Sequence, residues 1–318
     1  MDAFYGSVEI GGTKQQLAVH DGNGKILELR TGKFPLPNGA IDVLNWIEAN
    51  FPPLLAKYPV KAIGVGYGGI LETATGRVLL SVQVPGWQDF PLKDWFEEKF
   101  GLPATVVNDT VCGGYAELNL GSGKSCRNFY YTNIGTGIGG AMFIGRRTYD
   151  GMGYGGVYMG NTYVADYTSD KPGAVKKLED LCSGTGIERR LRIPGRVPET
   201  SMLYALCGGK TDQLSCYELK KAAEAGDDFA LSEIDSFART YGVSIANFIT
   251  LFSPERVAIG GGVANLGEVL LQPVRKYAEQ YVFVSAKGRY DIVRCELMDE
   301  NVLIGAALYA RDGFQTLL

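Results

Sequence analysis

The chain has 318 residues, 46% of them hydrophobic and 21% charged, with 31 basic against 35 acidic side chains and a net charge of -4. That length and balance suit a globular protein with two domains, or one large α/β unit with a cleft. The mild acidity and the lack of any Lys/Arg-rich run exclude nucleic acid as an expected partner, and the lack of a long apolar run excludes a membrane one.

Residues 6–19 read as strand, glycine turn, strand: Val8 and Ile10 alternate before the turn, Leu17 and Val19 after it. Gly11 and Gly12 let backbone amides approach a ligand without Cβ interference. Thr13 and Lys14 add a hydroxyl and a cation, and Glu9 a carboxylate where a phosphate-bound Mg²⁺ needs one. Taken alone, this stretch reads equally as a phosphate clamp or an ordinary hairpin.

A third strand is expected over 25–29 and a helix over 41–51, stopped by Pro52 and Pro53. A short strand at 62–65 opens into Gly66, Tyr67, Gly68 and Gly69, a second turn suited to close ligand approach. Residues 79–84 read as strand, 92–100 as an amphipathic helix and 104–107 as a buried strand. Asn108, Asp109 and Thr110 then end that strand and cap a helix running to about 118. Asp109 is either that cap or, at a cleft between glycine turns, the acceptor of a substrate hydroxyl proton.

A second round follows. Residues 129–133 read as strand, 135–140 as a glycine turn containing Thr136 and Gly137, and 141–144 as a returning strand, the device of the first hairpin again. Two such hairpins facing each other would grip a nucleotide from both sides, and a duplicated fold is the economical explanation. The turn also satisfies GxGxxG, but a strand rather than a helix follows it, so the dinucleotide reading fails. Residues 150–171 read as a long functional loop, and a helix through 234–252 keeps an unbroken apolar stripe. A strand at 256–259 leads to Gly260, Gly261 and Gly262, a plain helix entry or the floor for an adenosine. A helix over 266–279, a strand over 292–297 and a helix over 302–311 complete the chain. The six cysteines show no CxxC spacing and read as reduced thiols, and the one histidine, His20, excludes most imidazole-base mechanisms.

In this order, Ile10 to Lys14, Asn108-Asp109, residues 135–140 and residues 259–263 resemble the ROK family of bacterial sugar kinases. Thr75-Gly76, residues 85–87, Glu179 and Ser183-Gly184 carry the likeness over nearly the whole chain. The resemblance implies a two-domain actin-like/hexokinase α/β fold with a cleft, ATP with Mg²⁺, a sugar or polyol acceptor, and a homodimer; the first residues, with no basic n-region and no apolar h-region, make a cytoplasmic protein the expectation. It places the small domain at 1–115, completed by 302–318, and the larger one at 116–301. It makes Asp109 the base and Asn108, Gly69, Gln83 and Glu179 acceptor-binding residues. Glu9, Gly11, Gly12, Thr13, Lys14, Thr136 and Gly137 would hold phosphates and their metal, and Gly261 and Gly262 would flank adenosine. No helix-turn-helix precedes the first strand, which points to the kinase rather than the repressor branch.

Departures from the family pattern sharpen this. Glu9 stands for the usual Asp, as in some fructokinase-like members. Tyr158 and Asn161 stand for a glutamate and histidine that bind sugar hydroxyls, and the zinc-binding cysteine motif is missing, so zinc is not expected. A phenol and an amide bond differently from a carboxylate and an imidazole. The expected acceptor is therefore a ketose, modified sugar, cyclitol or glycoside rather than glucose in the usual pose. The alternative is a carbohydrate-binding sensor on a kinase fold that no longer transfers phosphate.

Overall fold

The computed structural model describes all residues except 1, 2, 13, 82, 83, 156, 317 and 318, so the expectations for Thr13 and Gln83 lie outside the described residues. The chain opens with β1 (Phe4–Ile10), β2 (Gln15–Asp21) and β3 (Ile26–Gly32), an antiparallel meander. Its glycine turn is closed by Gly11 N–H donating to Lys14 O at 3.2 Å. Helices α1 (Ala40–Asn50) and α2 (Pro52–Leu55) follow, with Pro52 and Pro53 in the first turn of α2, where a missing N–H costs nothing. Then come β4 (Val60–Tyr67) and the small hairpin of β5 (Ile70–Glu72) and β6 (Arg77–Leu80). The strand expected over 79–84 thus starts earlier, because its pairing with β5 is fixed by the turn ending at Gly76, whose φ is +66°.

Helix α3 (Leu92–Phe100) buries Leu92 and Phe96 and ends at Gly101 in the left-handed region. Strand β7 (Ala104–Asn108) then leads directly into α4 (Asp109–Leu120). The first sheet has the order β3-β2-β1-β4-β7, with β1, β4 and β7 parallel.

The plan then repeats. Strands β8 (Phe129–Ile134), β9 (Ile138–Ile144) and β10 (Arg147–Tyr149) precede a long insertion. That insertion is not structureless as expected: a 3-10 turn (Met159–Asn161) leads to a hairpin of β11 (Tyr163–Ala165) and β12 (Val175–Lys177). Helices α5 (Leu178–Cys182), α6 (Gly184–Leu191), α7 (Met202–Leu206), α8 (Cys216–Glu224) and α9 (Asp228–Phe252) come next. The expected stripe of α9 is buried from Ile234 to Ile249, each buried Ile or Phe contributing about 1.5–3 kcal/mol. Strand β13 (Arg256–Gly260), helix α10 (Glu268–Tyr281) and β14 (Asp291–Arg294) give a second sheet of order β10-β9-β8-β13-β14. Helix α10 starts later than expected because a 3-10 turn (Gly262–Leu266) and Gly267, at φ +68°, intervene.

Both sheets therefore share one strand order, the duplication that the repeated glycine turns foretold. Helix α11 (Asn301–Asp312) returns to the first sheet: Gly64 and Gly66 of β4 lie against Ala306 and Val302. By contacts the chain forms two compact units, one of residues 1–131, 141–157 and 296–318, the other of 132–140 and 158–295.

Candidate active site

In the first unit, Glu9 is the penultimate residue of β1, opposite Gly66 of the parallel neighbour, so no side chain covers it from that strand. Its Oε2 is buried and, among the described residues, faces only the Lys14 ammonium at 3.5 Å. Burial pushes the Glu9 carboxyl up to about 7; Lys14 opposes this shift, while the charges of Asp109 and Asp299 reinforce it. Gln15 steadies the turn by donating from Nε2 to Gly11 O at 2.8 Å.

Of the two adjacent residues, Asn108 and not Asp109 is the cap of α4. Asn108 keeps extended geometry, φ -58° and ψ 140°, and caps α4: its Oδ1 accepts from Thr110 and Val111 N–H. Its Nδ2 donates to Gly69 O at 3.2 Å, so this amide is largely engaged by the fold and keeps one N–H to offer. Asp109 is already helical and holds Thr110 N–H on Oδ1 at 2.7 Å. A Cβ on Gly68 would stand 3.1 Å from Asp109 Oδ2, and Gly68 N–H donates to Ile10 O at 2.9 Å. Glycine there ties the base of β5 to the first turn and leaves that carboxylate oxygen uncrowded. Burial raises the Asp109 carboxyl to about 6, with the Thr110 bonds pulling the other way.

In the second unit, three elements converge on the turn between β8 and β9. Gly135 N–H donates to Gly137 O at 2.9 Å, Gly139 N–H donates to Asn133 Oδ1 at 2.8 Å, and Thr136 is exposed at the tip. Glu179 on α5 accepts from Ile138 N–H at 3.4 Å, and a Cβ on Gly137 would meet the same Oε2 at 2.9 Å. Gly184 N–H donates to Gly135 O at 2.8 Å. Gly261, at φ +82°, brings the end of β13 so near that a Cβ would lie 2.6 Å from Ile134 O, whereas Gly262 faces open space. The segment bearing Tyr158 and Asn161 joins this group, since a Cβ on Gly160 would sit 2.2 Å from Ile138 O. Asn161 Oδ1 accepts from Lys177 Nζ at 2.8 Å, and Asp166 pairs with Lys176 at 3.3 Å across the hairpin.

The structure thus gathers Glu9, Gly11, Lys14, Gly68, Gly69, Asn108 and Asp109 in one unit. It gathers Thr136, Gly137, Tyr158, Asn161, Glu179, Gly261 and Gly262 in the other. Sequence reasoning missed Asp299, whose charge reaches Glu9; an acid just ahead of a helix reads only as a capping residue. Among the described residues no group of His, Cys, Asp or Glu is spaced to hold a metal by itself.

Two sheets of one plan, each with a glycine turn, define a phosphotransferase fold of the actin-like/hexokinase class, as in solved ROK sugar kinases. The sequence model of the ROK family matches residues 5–313, and the chain belongs to that family. It is 32% identical over 294 residues to a glucokinase of Halalkalibacterium halodurans, covering 88% of this chain and 86% of the relative. It superposes with a TM-score of 0.82 on a ROK family glucokinase from Streptomyces griseus in complex with glucose and AMPPNP, at 28% identity over 98% of this chain and 100% of that one. A ROK hexokinase from Thermus thermophilus matches at 27% identity with a TM-score of 0.74, covering 98% of each chain.

Proposed function

We propose that the protein is an ATP-dependent kinase that phosphorylates a hydroxyl of a hexose or related sugar or polyol, with Asp109 as the base. The carrying observation is the Asp109 carboxyl, beside Gly68 and pushed up to about 6: ionised at neutral pH, yet basic enough to take a proton. As the acceptor oxygen bonds to the γ-phosphorus, Asp109 accepts its proton, the bond to the bridging oxygen breaks and ADP departs. Gly11, whose own N–H closes the bend on Lys14 O, shapes a turn from which the Gly12 amide and Lys14, with the turn at Thr136 and Gly137, share the phosphate charge, and Thr13 belongs to this set by its place in the motif. Gly261 and Gly262 make room for adenosine.

The buried and poorly partnered Oε2 of Glu9 suits the hydration shell of a divalent cation. Mg²⁺ carried by ATP would be held there by Glu9 through water and would supply neutralisation of the phosphate charge. Asn108, Gly69, Gln83, Tyr158, Asn161 and Glu179 make up the acceptor side. Asn161 already spends its carbonyl on Lys177, which leaves an amide N–H₂ and the Tyr158 ring to select the acceptor. That favours a ketose, modified sugar, cyclitol or glycoside over glucose.

The division into domains 1–115 with 302–318 and 116–301 belongs to this proposal, supported by α11 packing on β4 within its own unit. So does a cytoplasmic homodimer without nucleic-acid or membrane partners. Leu251, Phe283 and Val284, all exposed near the ends of α9 and α10, support self-association, and no described helix is long and apolar enough to cross a membrane.

ATP consumption with Mg²⁺ across sugars, polyols and cyclitols is the test. Turnover with at least one acceptor is expected, with a glucose KM above the millimolar range. A sub-millimolar glucose KM overturns the acceptor reading alone. Sugar binding without transfer would favour a sensor, the reading that the Tyr158 and Asn161 replacements keep open.

A further inference from the structure

Strand β12 carries two lysines in succession, and the pleat sends them to opposite faces. Lys176 pairs with Asp166 at 3.3 Å. Lys177 has no carboxylate partner among the described residues; its Nζ donates to Asn161 Oδ1, the carbonyl of a neutral amide, at 2.8 Å. That bond also settles how the amide lies. An ammonium offers donors alone, so it faces the amide oxygen and never the N–H₂.

Backbone bonds hold both residues in place. Strands β11 and β12 pair with Tyr163 opposite Lys177, and Leu178 N–H donates to Thr162 O at 2.9 Å. The 3-10 turn ending at Asn161 is closed by Thr162 N–H on Met159 O at 3.1 Å, and its Met159 and Gly160 are buried. Asn161 itself is exposed and Lys177 half-buried, so this pre-set pair stays open to a ligand.

What the pair presents is one-sided. Two N–H groups of Lys177 and the N–H₂ of Asn161 remain to bind, and every one is a donor. Glu179, two residues beyond Lys177, directs its Oε2 to Ile138 N–H at 3.4 Å instead. A sugar hydroxyl brings a donor as well as an acceptor, whereas carboxylate and phosphate oxygens accept only and complement the charge of Lys177. We propose that the acceptor carries an oxyanion, as a sugar acid or a sugar phosphate does, and that Lys177 with Asn161 receives it, which makes Lys177 a specificity-determining residue. This deepens the kinase reading given above and rests on it.

The test sets hexoses against their aldonic and uronic acids and their 1- and 6-phosphates in the ATP-consumption assay. At least one anionic acceptor should exceed its neutral parent about tenfold or more in kcat/KM, and its KM should rise with added salt. K177M, which keeps the apolar stem and removes the charge, should lower kcat/KM for that acceptor about 10- to 100-fold more than for its parent, the effect of one charged hydrogen bond. K177R should retain the preference. A response to the acids or to the phosphates supports the site and names the group. No anion above its parent, or K177M lowering both alike, overturns the oxyanion site, while turnover of neutral sugars preserves the kinase. Should wild type transfer no phosphate, the kinase reading fails by itself. Calorimetric titration of the same acids and phosphates into wild type and K177M then decides: tighter binding by wild type supports the site, and equal or absent binding overturns it.

Discussion

As the proposed base Asp109 has to be ionised, yet its burial favours the neutral acid, raising its pKa from 3.8 to about 6. A folded-state pKa above the unfolded one means stability present below about pH 4 and lost as pH rises through 6. Asp109→Asn should therefore lower kcat at least about 100-fold while raising thermal stability at pH 7–8, by at most about 3 kcal/mol. Asparagine keeps the Oδ1 acceptor for Thr110 and discards the buried charge; steady-state kinetics and thermal melts of one preparation check both halves. In wild type, kcat/KM should fall about tenfold per pH unit below pH 6 as the base takes up its proton, read from a pH–rate profile. Glu9 and Lys14 were legible as candidates because both flank the first glycine turn, and Asp109 because it follows a buried strand. The identity of the cap was not, since backbone angles decide which of two adjacent polar residues caps the helix. The meeting of Glu179 with Ile138 joins positions far apart in sequence, which no local pattern announces.

Between elements, glycines decide how closely backbones approach. A Cβ on Gly305 would lie 1.8 Å from Cys112 O, and one on Gly64 equally close to Ala306 O, both main-chain atoms that cannot step aside. G305A and G64A should each cost more than about 3 kcal/mol or abolish soluble expression, in contrast to G262A, where nothing stands within 4 Å. G262A should melt with wild type and raise ATP KM severalfold if adenosine lies on that glycine; melting curves and ATP titrations separate the cases. Long periodic elements such as α3 and α9 were readable because a stripe of apolar residues repeats over several turns. The β11–β12 hairpin was hidden: its strands are three residues each, and polar contacts such as Asp166 with Lys176 hold it in place of an alternating apolar face.

For the molecule as a whole, the repeated order of the two sheets was foreshadowed by two glycine turns with similar sequences, whereas the partition into compact units was not, because the unit boundary passes through β8 and β9. A nucleotide that binds only the native protein should stabilise it by mass action, about 2.7 kcal/mol at 100 times its dissociation constant. AMPPNP should accordingly raise Tm by several degrees, and Asp109→Asn should keep that shift, since the proposal assigns its side chain to the acceptor. Loss of the shift in this variant, seen by differential scanning fluorimetry, would move Asp109 to the nucleotide.

Helix α11 fits against the glycines of β4, although about three quarters of the chain lies between them. A ribosome making 5–20 residues per second needs on the order of tens of seconds to travel from one to the other. Throughout that interval the earliest sheet emerges with one face uncovered, a client for chaperones until translation delivers its final cover.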